Sequence, residues 1–235
     1  MSRVKRVLRI QTLHLVTPRQ STITTMALGS NLRKFLPQPI ERSVAEAYRS
    51  AFVDLDELAR TINSLGKFES TVEVGCGEGA LTTRLTKVCE STVLGIDIAA
   101  GPGRNYVGDP ARASFRQMRV ESLVEEGFRA DLVVVSDVVH HIPSQERLAF
   151  LGCCAALLAP FGVLVVKDWE RRANPFHLLG YVSDRYLSGD RTVSFASRDE
   201  LVALLKDAAP QLTLVCETRV PPRRNNLLLG MQLIA

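Results

Sequence analysis

The sequence predicts an α/β fold in which a mostly parallel sheet is covered by helices on both faces, and three features predict it. Short apolar runs alternate with helical periods between residues 71 and 167, the pattern of repeated strand and helix units. A glycine-rich turn, Gly75, Gly77 and Gly79, directly follows the first of those runs and opens a helix. The chain closes with two β-like runs, 212–219 and 227–234, whose short Pro-Pro-Arg-Arg-Asn-Asn link suits an antiparallel hairpin. With 235 residues, 46% of them hydrophobic and 23% charged, the chain suits one globular domain with a full core.

The elements follow in order. From Ser43 a helical stripe of Val44, Tyr48, Phe52, Leu55, Leu58, Ile62 and Leu65 runs to a stop at Gly66. A first strand covers 71–74, a helix 79–88, a second strand 92–96 ending at Asp97, and a third strand 114–119. The β-branched run at 132–135 is a fourth strand, followed by a helix over 145–158 and a fifth strand over 163–167. Residues 168–196 form a long connection rich in aromatic and charged side chains, and a helix over 197–208 leads into the closing hairpin.

Charge divides the chain. The formal net charge is +4, yet residues 1–40 hold Arg3, Lys5, Arg6, Arg9, Arg19, Arg33 and Lys34 with no acid, so the remainder is mildly acidic. A nucleic-acid substrate is therefore not expected of the body of the chain. The basic, Ser/Thr-rich segment has the composition of an organelle transit peptide, a disordered tail, or an extension upstream of Met26. The division expected is a non-catalytic segment 1–40 and one domain 41–235. No run of 18 apolar residues exists to span a membrane. Cys76, Cys89, Cys153, Cys154 and Cys216 show no CxxC or other metal spacing and read as reduced thiols of a cytoplasmic protein, with organelle import through residues 1–40 as the alternative.

The turn Glu73-Val-Gly75-Cys-Gly77-Glu78-Gly79-Ala-Leu81 carries the first functional signal. A backbone that turns sharply into a helix and lets a ligand come within contact distance needs residues without Cβ. The glycine spacing alone also fits the dinucleotide fingerprint, with Gly75, Gly77 and Ala80 in the required places. The acids discriminate: Glu73 and Glu78 oppose a pyrophosphate on the helix N-terminus but suit a cationic ligand. Cys76 reads as a small residue filling the turn.

Acid-x-Gly-x-Gly-x-Gly is the form of the first motif of the class I S-adenosylmethionine-dependent methyltransferases, and Glu73, Gly75, Gly77 and Gly79 fill it without a gap. The chain resembles that family, by motif over about 70–168 and by order of elements over 43–235. The resemblance implies a Rossmann-like three-layer sandwich, a seven-stranded sheet in the order 3-2-1-4-5-7-6, and S-adenosyl-L-methionine as cofactor. It implies that Glu73, Gly75, Cys76, Gly77 and Gly79 contact the cofactor, that Asp97 takes both ribose hydroxyls, and that Ile98 walls the adenine. In the family another acid after strand three meets the adenine amino group. Here Arg119 stands at that place, leaving Glu121 or a backbone amide near Val120 for the contact. The run from Asp131 to Pro143 is similar to the family's fourth motif and would put Ser136 and Asp137 at the methionine end.

Methyl transfer from a sulfonium needs alignment and exclusion of water, and a base only where the acceptor proton is weakly acidic. His140 and His141, on different sides of the backbone, are candidate bases, of which one at most would face substrate. Asp168 and His177 in the long connection are the other catalytic candidates, and His177, Tyr181 and Asp184 would share a helical face. No metal set is expected, since the four histidines lack ligand spacing and no paired acids follow strand four. The function expected is methylation of a small-molecule acceptor, with oxygen favoured over carbon or nitrogen. The alternatives are a non-catalytic S-adenosylmethionine-binding or scaffold protein and a nicotinamide-dependent oxidoreductase.

Overall fold

The structure, a computed structural model, describes residues 52–171 and 193–234. Its described elements are α1 (Leu55–Asn63), β1 (Ser70–Val74), α2 (Ala80–Val88), β2 (Thr92–Asp97), β3 (Ala113–Gln117), α3 (Val120–Glu125), β4 (Ala130–Ser136), α4 (Arg147–Ala156), β5 (Leu158–Trp169), α5 (Arg198–Ala208), β6 (Leu212–Val220) and β7 (Asn226–Leu233). The seven strands form one sheet in the order β3-β2-β1-β4-β5-β7-β6. The first five are parallel, and β7 runs antiparallel to both β5 and β6. The expected topology and closing hairpin are both present.

Period-two alternation explains the layers. Val72, Val133, Leu164 and Met231 lie on one face, in the core completed by α3, α4 and α5. Leu132, Val134, Val163 and Leu228 lie on the other face, under α1 and α2. Because both faces are covered, the central strands read as unbroken apolar runs, Leu132 to Val135 and Val163 to Val166. Fully buried Leu58, Ile62 and Leu85 hold the α1–α2 layer down, each worth roughly 1.5–3 kcal/mol of transfer free energy.

Three departures from the sequence reading go beyond an end shifted by a residue or two. The stripe from Val44 does not continue as one helix through Leu65. Asp54 is extended and its carboxylate accepts the Glu57 amide, so α1 starts at Leu55, and residues 43–51 lie outside the described residues. A short polar side chain that caps its own backbone overrides the apolar periodicity. The Arg119 position closes no strand, since Arg119 is the extended residue before α3, a short helix the sequence reading lacked. Finally, β5 begins at Leu158 rather than Val163. A register shift accommodates Pro160 and Gly162: Ala130 pairs with Leu158 and Leu132 already with Val163. That bulge hid the first part of the strand behind turn-forming residues.

Candidate active site

The carboxyl ends of β1, β2, β4 and β5 lie along one edge of the sheet, and Gly75, Gly77, Asp97, Asp137, His140 and Asp168 stand there. Gly75, Gly77 and Gly79 all have left-handed backbones, with φ of 76°, 51° and 86°. The Gly75 and Cys76 amides both donate to the Ile96 carbonyl, at 2.8 and 3.0 Å, which folds the loop against the end of β2. A Cβ at Gly75 would lie 2.3 Å from Val138 Cγ2, whereas a Cβ at Gly77 would meet nothing within 4 Å. The loop is thus packed at its root and open at its crest.

Asp97 terminates β2 and holds the crest. Its carboxylate accepts the Gly77 amide at 2.8 Å and the Ala99 amide at 2.7 Å. A carboxylate has about four lone-pair sites, so two amides leave acceptor capacity on this half-buried group. Ile98 beside it is 68% exposed, an apolar surface at the mouth of the crevice. Met118 donates its amide to the Asp97 carbonyl at 2.9 Å, which brings the start of α3 to the same place. Glu121 there is partly exposed and paired with Arg119.

The two loop acids need correcting. Glu73 is buried and accepts a short hydrogen bond from the Thr82 hydroxyl of α2. Burial pushes its carboxyl up to about 8, against the Thr82 bond that lowers it, with the nearby Asp97 charge raising it further. At neutral pH Glu73 is therefore mostly protonated and brings little negative charge to the loop. Glu78 is paired with Arg104 and accepts from the Asn105 amide group at 2.8 Å. Neither acid repels a pyrophosphate as a free carboxylate would. Cys76 is buried, with burial raising its thiol far above the ordinary value, as suits a filler and not a nucleophile.

Beyond β4 the chain makes a strained turn. Asp137 has φ of 59° and donates its amide to the Lys167 carbonyl at 2.9 Å. Ser136 Oγ donates to Asp137 Oδ2 at 3.2 Å. The sequence reading ended the fifth strand at Lys167 but gave it no partner. The structure buries it completely in β5, with Nζ 2.6 and 2.7 Å from the two Asp137 carboxylate oxygens.

His140 and His141 stand on a single 3-10 turn, Val139–His141. Instead of pointing to opposite sides, their rings are neighbours, with centroids 4.0 Å apart. Yet His140 is 3% exposed and His141 is exposed. Asp168, one residue beyond Lys167, is bonded to His140 twice: Oδ2 accepts its backbone amide at 2.9 Å, and Oδ1 takes Nδ1 in a short contact. Burial works to raise the Asp168 carboxyl, but His140 and the Trp169 amide outweigh it and hold the group below the usual carboxylate value. The turn is held from outside by Arg147 of α4, another residue without a sequence signal. Its guanidinium donates to the Ile142 carbonyl at 2.9 Å and the Ser194 carbonyl at 2.6 Å. Phe195 packs 5.1 Å from the His140 ring, and Trp169 6.1 Å from Phe195. His177, Tyr181 and Asp184 lie outside the described residues.

One oxygen each of Asp137 and Asp168 and a His140 ring nitrogen lie within 4.8 Å of one another, a grouping that no sequence spacing announced. These donors already have partners: Lys167 supplies the cation for Asp137, and Asp168 binds His140 and two backbone amides. The arrangement is that of a charge-balanced polar network.

Comparison with known proteins fits this geometry. The profile of a methyltransferase domain family matches residues 43–213. The ubiquinone biosynthesis O-methyltransferase of Dinoroseobacter shibae is 28% identical over 65% of this chain and 64% of its own length. The chain spans about half the length of other curated relatives of the same description. An O-methyltransferase family protein from Burkholderia thailandensis has a similar fold at 18% identity, with a TM-score of 0.65 over 81% of this chain and 59% of its own. The 1,6-didemethyltoxoflavin-N1-methyltransferase of the same organism, solved with that compound and S-adenosylhomocysteine, matches 89% of this chain and 92% of its own at 19% identity and a TM-score of 0.61. With a domain profile covering well over half of its length, and a glycine loop, Asp97 and sheet order to match, the chain belongs to the methyltransferase domain family of the class I S-adenosylmethionine-dependent methyltransferases.

Proposed function

We propose that this chain transfers a methyl group from S-adenosylmethionine to a hydroxyl oxygen of a small-molecule acceptor, with His140 as the general base. The observation that carries the reading is the pair of hydrogen bonds that His140 makes to the Asp168 carboxylate at the carboxyl edge of β4 and β5. The residues at the crevice fit the donor: an open crest at Gly77, acceptor capacity on Asp97 for hydroxyls, and the exposed apolar Ile98 for a base. Bound there, the donor supplies a methyl carbon activated by its sulfonium.

Asp168 accepts from Nδ1–H of His140, which leaves the lone pair of the neutral ring on Nε2. The acceptor hydroxyl forms its bond to the methyl carbon as the carbon–sulfur bond breaks, and its proton passes to Nε2. Asp168 then faces an imidazolium that its charge stabilises. An alcohol or phenol needs such help at neutral pH more than an amine does, which is why the dyad favours oxygen. The description of the curated relatives as O-methyltransferases supports the same choice.

The test is direct. Calorimetric titration with S-adenosylhomocysteine should give binding, and labelled S-adenosylmethionine with a panel of hydroxylated acceptors should give an O-methylated product. Binding of NADH in place of the methyl donor would overturn the cofactor, and a product methylated only on nitrogen or carbon would overturn the acceptor atom.

A further inference from the structure

Lys167 is a fully buried ionic side chain, and methyl transfer through His140 does not use it. A buried ammonium is strongly disfavoured by desolvation unless it is paired and hydrogen-bonded. Here it is held by both oxygens of Asp137, whose side chain is 36% exposed at the end of β4. That residue in turn takes a left-handed backbone, a conformation that is strained outside glycine. The strained turn and the buried pair place a compensated carboxylate within 4.8 Å of the donor and acceptor atoms of the His140–Asp168 dyad.

We propose that Lys167 is a positioning residue that neutralises Asp137, so that Asp137 adds no net charge to the surroundings that set the basicity of His140. The inference rests on the reading of His140 as the base. Adjacent residues of β5 divide the work: Lys167 reaches back to Asp137 after β4, and Asp168 reaches to His140 on the following turn. Among the described residues, the charged and titratable groups gathered about the imidazole are Asp168 and Lys167 of β5, Asp137 after β4, His141 of the same turn and Arg147 of α4, which braces that turn. The charges of Lys167, Asp137, Asp168 and His140 sum to zero once His140 carries the abstracted proton. Without Lys167 an unpaired carboxylate stands a few ångströms from the ring, and an opposite charge at that range favours the imidazolium. A base already protonated at neutral pH does not abstract a proton.

The experiment follows the ring resonance that disappears in His140→Gln, titrated by NMR in the full chain with labelled histidine and no acceptor. Lys167→Met should move the His140 titration up by about one pH unit, and Asp137→Asn, which leaves the ammonium uncompensated, should move it down. Lys167→Met/Asp137→Asn should return it near the wild-type midpoint. If Lys167→Met fails to fold, the downward shift in Asp137→Asn carries the test. Midpoints unchanged in every folded variant would overturn the proposal. The midpoints do not depend on turnover, so loss of the base reading, shown by an undiminished rate in His140→Gln, is seen separately.

Discussion

Asp168 binds His140 at two points, through its backbone amide and through Nδ1, across 28 residues of sequence. One carboxylate thus fixes both the place of the turn and the tautomer of the ring. His140→Gln should lower the transfer rate by about 10²–10⁴-fold, the range of a lost general base, with S-adenosylhomocysteine affinity unchanged by calorimetry. Asp168→Asn should lower the rate while keeping the fold, and His141→Gln should leave it near wild type.

Asp97 ties the crest of the glycine loop to β2 through the Gly77 and Ala99 amides. Hydrogen bonds to a charged group are worth about 1.5–3 kcal/mol. Asp97→Ala should therefore weaken donor binding by roughly 10- to 100-fold, measured by calorimetry, and Asp97→Asn by less because an acceptor oxygen remains.

The glycines differ in what they tolerate. Gly77→Ala meets only the left-handed backbone strain of about 1–2 kcal/mol, a melting-temperature loss of roughly 2–8 °C in a domain of this size. Gly75→Ala adds an overlap with Val138 Cγ2 and should cost more. In a Val138→Ala background the cost of Gly75→Ala should shrink but not vanish, since the backbone strain stays.

Glu73 makes stability depend on pH. Its folded carboxyl sits near 8 against an ordinary 4.5, so the folded state holds a proton that the unfolded state has lost. The contribution is fully present below about 4.5 and is lost as pH rises through 8. Melting temperature should fall across that window, and Glu73→Gln, which keeps a partner for Thr82 without a titrating proton, should flatten the decline.

Strand order and the glycine loop were legible because they rest on local pattern. Gly75, Gly77 and Gly79 announce their own backbone, and continuous β-branched runs such as Val133 to Val135 announce a strand covered on both faces. What was not legible depends on pairs made by the fold. Nothing near Lys167 indicates that a charge at that position of β5 is fully buried, since its Asp137 partner lies 30 residues away. The same holds for Arg147, whose role depends on Ser194 arriving from a distant segment. Glu73 and Glu78 read as free charges from their place around the glycine loop, whereas burial raises the carboxyl of one to about 8 and Arg104 pairs the other. The continuous helix from Val44 failed because Asp54 offers its own backbone a cap that periodicity does not register.

The measurement closest to the central claim is transfer of a labelled methyl group from S-adenosylmethionine to hydroxylated acceptors by the wild-type chain and by His140→Gln. The expected product is methylated on oxygen and forms about 10²–10⁴-fold more slowly with the variant, whose donor binding is unchanged. An equal rate in His140→Gln, or methylation confined to nitrogen or carbon, would contradict it.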